Sequence, residues 1–161
     1  MALCGLIRAK NYCLWVTYAP HQGVQDWVRD LNQCYQQYPA LYQRDHHSDG
    51  FQWLDCNNAD NNILVFCRFG MDKQQHVVIV VNMSPQVYYD FRVGVPTAQN
   101  YRELLNSDHR HYGGGDVVND NPCEAQATPW QGMSHSIVIT VPPLGCSIWV
   151  PELDEQDQPT Q

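Results

Sequence analysis

The sequence predicts a mainly β chain, an antiparallel β-sandwich of about seven or eight strands preceded by one amphipathic α-helix. Three observations carry the prediction. Apolar side chains recur at steps of three and four early in the chain. After Ser48 the period drops to two, with turn-forming clusters roughly every ten residues. The length of 161 residues suits one domain with a real core plus small appendages, and no internal repeat divides it.

The helix is set by Val24, Trp27, Val28, Leu31, Cys34, Tyr35 and Tyr38, which share one face and predict a buried stripe. Gln25, Asp26, Arg29, Asp30, Gln33, Gln36 and Gln37 fill the opposite side. Pro39 ends the helix, because it removes a backbone donor and restricts the residue before it. Phe51 and Trp53 then alternate with Gln52, and the polar loop 57–62 turns the chain into Ile63, Val65, Cys67 and Phe69, which is the pattern of a hairpin. Alternation places Phe51, Trp53 and Tyr89 toward the core.

The run His76-Val77-Val78-Ile79-Val80-Val81 is apolar on both faces, as a central strand covered on each side requires, and Ser84-Pro85 ends it. Val87, Tyr89, Phe91, Val93 and Val95 alternate with Tyr88, Asp90, Arg92 and Gly94, a strand with one wet face. Residues 101–105 add a short strand. Residues 106–134, with Gly113-Gly114-Gly115 in their middle, read mostly as loop. Ile137, Ile139 and Val141, then Cys146, Ile148 and Val150, form two strands joined by a kink at Pro142-Pro143-Leu144-Gly145. The division expected is an atypical leader over 1–19, the helix unit over 20–47, the β-sandwich over 48–153 and a disordered acidic tail over 154–161.

Nine basic against seventeen acidic side chains give a net charge of −8, which disfavours nucleic acid or an anionic membrane as partner. No apolar run approaches the roughly 20 residues of a membrane helix. The first ten residues lack the charged-then-apolar order of a signal peptide, so the chain reads as cytoplasmic. Cys4, Cys13, Cys34, Cys56, Cys67, Cys123 and Cys146 are odd in number and form no CxxC pair, which marks them as reduced structural thiols.

Several blocks, taken in order, carry a family resemblance. They are the helix with Pro39-Ala40-Leu41, then Asp49-Gly50-Phe51-Gln52-Trp53-Leu54-Asp55, Val81-Asn82-Met83-Ser84-Pro85 and Phe91-Arg92-Val93-Gly94-Val95-Pro96. Arg102-Glu103-Leu104-Leu105-Asn106-Ser107-Asp108 with Tyr112-Gly113-Gly114, and His135-Ser136 leading to Val141-Pro142-Pro143-Leu144, complete the set. Over residues 20–152 the chain resembles the C-terminal end of the glycogen branching enzymes of the α-amylase superfamily. The resemblance implies that residues 22–38 are the last helix of a catalytic (β/α)8 barrel, followed by a sandwich of the α-amylase C-terminal type. The family's chemistry cuts an α-1,4 bond and rejoins the chain to a 6-hydroxyl, using two carboxylates about 5 Å apart. Those carboxylates belong to barrel strands, so no catalytic residue is carried over, and no cofactor is implied. Residues 1–17 do not match the barrel, and the expectation is a reading frame that begins inside a disrupted branching-enzyme gene.

The remaining chemical candidates are weighed residue by residue. His46-His47 and His109-Arg110-His111, near Asp45, Asp49, Asp108 and Asp116, match no ligand spacing and read as structural or solvated, with no metal implied. The glycine triplet lacks the Lys-Ser/Thr and the strand-to-helix setting of a phosphate cradle. Asp108 with Asp116 or Glu124 reads as solvated rather than as an acid/base couple. Ser134 and His135, adjacent at a strand start, are expected to point apart. Sugar rings stack on exposed aromatic faces, which makes Trp130, in a loop, and Tyr88, on the wet face, the candidate glucan contacts. The function expected is a noncatalytic C-terminal β-domain that braces the barrel and contacts α-glucan, glycogen or amylose. The alternatives are a free-standing α-glucan-binding module or a structural domain that self-associates through surfaces the barrel would cover.

Overall fold

A computed structural model describes residues 19–152; the expected leader and acidic tail lie outside the described residues, apart from position 19. The chain forms α1 (Ala19–Gln37) and strands β1 (Phe51–Asn58), β2 (Ile63–Phe69), β3 (His76–Asn82), β4 (Tyr88–Val95), β5 (Tyr101–Asn106), β6 (His135–Val141) and β7 (Gly145–Pro151). Short 3-10 turns lie at Pro39–Leu41, Ser48–Gly50 and Arg110–Tyr112. The mainly β, antiparallel architecture with one helix agrees with the sequence prediction.

The two sheets are unequal. One has five strands in the order β1-β2-β3-β7-β5, the other only β4 and β6, and every pairing is antiparallel. The doubly apolar β3 sits at the centre of the larger sheet. Val78 and Val80 face the inner core with Val65, Cys67 and Trp149 from the same sheet and Val93, Ile137 and Ile139 from the small sheet. Val77, Ile79, Ile148 and Val150 face the other way, against Leu31, Tyr38, Ala40 and Leu41. The molecule is therefore three layers deep: helix, large sheet, small sheet. That is why a strand with no wet face was needed in the middle.

The last apolar segment forms the two strands expected, joined by a bend at Pro142-Pro143-Leu144, and the structure adds that they lie in different sheets. Its bend at Pro142 carries the chain from the small sheet, where β6 pairs with β4, into the large sheet, where β7 lies between β3 and β5. Residues 106–134 are largely without regular structure, but bridges at Tyr101–Cys123 and Gln126–Ser136 bind them to the sheets, and a bridge at Trp130–Met133 closes a turn within them. Among the described residues no helix is long and apolar enough to cross a membrane.

The helix docks on a narrower arc than its apolar stripe suggested. Trp27, Leu31, Cys34 and Tyr38 turn inward, whereas Val24, at 62% exposure, Val28 and Tyr35 remain exposed. Asp26 and Asp30, expected on the side opposite the apolar stripe, are buried and half-buried. The cause is a clasp from the Arg110–Tyr112 turn: the Tyr112 ring meets Trp27 edge-on at 5.1 Å and its hydroxyl donates to Asp30 Oδ2 at 2.8 Å. Gly23 lets that turn approach, because a Cβ there would lie 2.1 Å from the Tyr112 carbonyl oxygen. Burial and the neighbouring Asp30 carboxylate push the Tyr112 hydroxyl up to about 12, so it stays a donor at any ordinary pH.

Candidate functional surfaces

The aromatic residues divide differently from the two-residue alternation. Phe51 and Trp53 share the face of β1 that looks toward the helix layer, and both are exposed, Trp53 by 50%. Their rings lie 5.0 Å apart edge-on, and Phe66 on β2 stacks against Phe51 at 5.4 Å and meets Trp53 at 5.7 Å. The expectation that Phe51 and Trp53 are core is thus corrected. β1 is the edge strand, and the helix layer stops short of it. The same rim carries Tyr35 and Tyr42, 5.6 Å apart, and Asp45, which receives the Arg68 guanidinium and the Tyr35 hydroxyl.

Tyr88 and Tyr89 exchange the places expected of them. A bulge between Tyr88 and Phe91 sets Tyr89 and Asp90 together against a single partner position, with Asp90 in the left-handed region at φ 53°. One extra residue reverses the alternation, so Tyr88 turns inward and packs on the inner core, while Tyr89 is 72% exposed. The Tyr88 hydroxyl donates to the Asn61 carbonyl at 3.1 Å, which ties it to the β1–β2 loop. The wet face expected for Tyr88 belongs to Tyr89.

Trp130 sits where the sequence placed it, in a loop, 47% exposed. It opens a tight turn in which Trp130 and Met133 exchange backbone hydrogen bonds of 3.1 and 2.9 Å, with Gln131 at φ 50° and Gly132 at φ 78°. Two left-handed central residues make this a type I′ geometry, in which Gly132 suits its position and Gln131 is held by its side-chain bonds. The Gln131 side chain fixes the turn by donating to Asp55 Oδ2 at 3.3 Å and accepting from the Gly94 backbone N–H at 3.0 Å.

The polar candidates serve the loops. Asp108 accepts from the backbone N–H of Gly115 and Val117, both at 2.9 Å, and Asp116 accepts from the Arg110 backbone and side chain. Asp49 pairs with Arg44. The rings of His109 and His111 pack on Tyr112. Among the described residues no three His, Cys, Asp or Glu side chains gather around a metal-sized site. Ser134 Oγ does reach His135 Nδ1, at 2.9 Å, contrary to the expectation that they point apart; Ser134 precedes the strand and is free of its pleat. Cys34 and Cys67 are buried and Cys56 is exposed; burial pushes the Cys67 thiol well above its usual range, which suits an inert structural role.

Several buried polar groups were not singled out by the sequence, His76 among them. His76, 2% exposed, holds Nδ1 at 3.1 Å from the Lys73 carbonyl and Nε2 at 2.7 Å from the Tyr101 hydroxyl. The carbonyl can only accept, so Nδ1 carries the proton and Nε2 receives the Tyr101 hydroxyl, a neutral ring. Burial lowers the His76 pKa below its ordinary value and raises that of Tyr101 to about 12. Because the folded pKa is the depressed one, the unfolded chain takes up a proton first as pH falls. Stability is therefore expected to be full above about pH 6.5 and to decline below it. Urea titrations between pH 7.5 and 5.5 check this: the decline should be shallower in His76→Gln, and equal slopes would exclude His76 as its source.

With this geometry in place, residues 53–152 match the family described as the alpha amylase, C-terminal all-beta domain. A 1,4-alpha-glucan branching enzyme of Shewanella frigidimarina is 99% identical over 146 residues, 91% of this chain and 20% of that protein. Another, of Shewanella baltica strain OS195, is 50% identical over 133 residues, 83% of this chain and 18% of that protein. The chain spans about a fifth of the length of the curated relatives it matches. The family model covers the β-domain, residues 53–152, and the branching-enzyme match extends N-terminal to it. A family match over well more than half the chain, on a fold of the same class, shows that the chain belongs to the alpha amylase C-terminal all-beta domain family, in the form carried by branching enzymes.

Proposed function

We propose that the chain serves as the noncatalytic C-terminal β-domain of a 1,4-alpha-glucan branching enzyme, bracing the catalytic barrel and contacting α-glucan in glycogen synthesis. The observation that carries this reading is the outward arc of α1. Val24, Val28 and Tyr35 are exposed on a helix whose other apolar arc, Trp27, Leu31, Cys34 and Tyr38, is half-buried or buried against the rest of the chain, the pattern of a helix held between two bodies. In the proposal, residues 20–47 form the last barrel helix and its connection, residues 48–153 the sandwich, and the setting is cytoplasmic. No nucleic acid or membrane takes part.

The test uses the full-length enzyme that shares 99% identity with this chain. Aspartate in place of Val28 should lower that enzyme's melting temperature by several degrees and reduce branching, while leaving the melting of the present chain nearly unchanged at concentrations where it is monomeric. Equal behaviour of the two full-length proteins would remove the bracing role. The same arc gives the chain a motive to self-associate when the barrel is absent. Sedimentation equilibrium should show a concentration-dependent dimer that Val28→Asp dissolves; a monomer at every concentration would argue against it.

The glucan contact is favoured by the Phe51, Trp53 and Phe66 cluster, because mutually packed rings hold one exposed tryptophan face steady for a pyranose ring. Trp130 is a second contact. The Tyr88 ring, packed inward with its hydroxyl on Asn61, offers such a ligand little surface.

A further inference from the structure

We infer that the outer face of the two-stranded sheet is a second contact strip for a linear α-1,4-glucan, running from Trp130 past Arg92 to Asp90 and Tyr89. It rests on the glucan reading above but lies on the opposite side of the molecule from α1.

The strip follows from three local departures. A Cβ on Gly94 would lie 2.4 Å from the Trp130 carbonyl oxygen, and Gly94 sits between the inward Val93 and Val95. The Trp130 turn therefore lies across the outer face of β4, and glycine is what allows it to rest there. Two residues along, Arg92 faces the same way. Its Nη1 donates at 2.8 Å both to Gln126 Oε1 and to Ser136 Oγ, so the guanidinium is held flat on the sheet. The bulge then brings Tyr89 and Asp90 together opposite Thr140, whose neighbours Ile139 and Val141 point into the core. Tyr89 and Asp90 thus share the outer face with Arg92.

Gly94, under the Trp130 turn, and Tyr89 are five residues apart on β4, a backbone span of roughly 16 Å at about 3.3 Å per residue. That length accommodates several glucose units. The chemistry fits a neutral polyhydroxyl chain: aromatic faces at each end for the C–H faces of the sugar ring, with a carboxylate acceptor and guanidinium donors between them for hydroxyls. Asp90 and Arg92 offset one another, and the net charge of −8 repels an anionic polymer. Both left-handed non-glycine residues of this face, Asp90 and Gln131, lie beside the exposed rings they present, and strain of that kind persists where surrounding contacts hold it.

Affinity electrophoresis of the chain through gels containing glycogen or amylose tests the strip. Trp130→Ala and Tyr89→Ala should each weaken retardation roughly threefold to tenfold, Tyr89→Phe should keep it, and both losses should persist in a Trp53→Ala background. Thermal melts confirm that each variant is folded, and should Trp130→Ala fail that check, Trp130→Phe and Tyr89→Ala decide. No retardation of the unsubstituted chain overturns the glucan reading and the strip with it. Retardation that Trp53→Ala abolishes, while Trp130→Ala and Tyr89→Ala leave it intact, overturns the strip alone.

Discussion

Trp149→Ala is expected to lower the free energy of unfolding by about 3–5 kcal/mol, the range of a large aromatic removed from a closed core. Trp149 is fully buried on β7, the strand between β3 and β5, and pairs directly with Val78 and Glu103. Its ring stands among residues of both sheets, including Val93, Val95 and Ile137 from the small one. A small sheet of two strands has few other attachments, so a void under it loosens the contact on which β4 and β6 depend. The indole N–H donates to Ser147 Oγ at 3.0 Å, and Ser147 is itself buried. Truncation therefore also strips a buried hydroxyl of its partner. Against a total of about 5–15 kcal/mol for a domain, the loss takes about a fifth of the stability or more. Urea unfolding followed by far-UV circular dichroism measures it. A loss below about 1 kcal/mol, the level of a surface change, would mean that the two sheets do not share this core.

What the sequence disclosed depended on whether a pattern had one physical cause. The doubly apolar β3 could only be the centre of a sheet covered on both faces, and it is. Pro39 stops α1 because the lost donor and the restricted Tyr38 act at that point, and a 3-10 turn begins there with the proline in its first turn. Alternation is weaker, because it says which residues share a face and not which face is covered. Phe51 and Trp53 do share a face with Phe66, but on an edge strand that the helix does not reach. In β4 the parity itself is broken. The bulge at Asp90 inserts one residue and exchanges Tyr88 with Tyr89, and a register slip of one is invisible to a period of two.

The site was legible to a similar degree. Trp130 was readable as a loop aromatic from Pro129 before it and Gly132 after it. Its rigid presentation was not, because that depends on Gly94 and Asp55, distant in sequence. The width of the apolar arc on α1 was readable too. Which part of it docks depends on Tyr112, some eighty residues away, and no local count contains that contact.

Asn82→Ala should destabilise the chain by about 2–4 kcal/mol, out of proportion to the atoms removed, because it leaves several buried polar groups without partners. Asn82 is 1% exposed and ends β3, where it pairs with Ile63 of β2 and Gly145 of β7. Its amide nitrogen donates to the carbonyls of Gln86 and Pro142 at 2.7 and 2.8 Å, and its oxygen accepts from the Ser84 backbone and hydroxyl, both at 2.9 Å. All four slots of the amide are filled. Ser84 and Gln86 lie on the segment that carries the chain from β3 in the large sheet to β4 in the small one. Pro142 lies on the segment that carries it back, from β6 to β7. One side chain thus fastens together two passages of the chain between the sheets, and a backbone bond from Leu144 to Ser84 runs beside it. Ser84→Ala removes one of these bonds and should lose only about 1 kcal/mol, which separates the loss of a hydroxyl from the loss of the clamp. Urea midpoints of the two variants measure the difference. If Asn82→Ala were no worse than Ser84→Ala, water would be taking the place of the amide, and the sheets would be held in register by their apolar core alone.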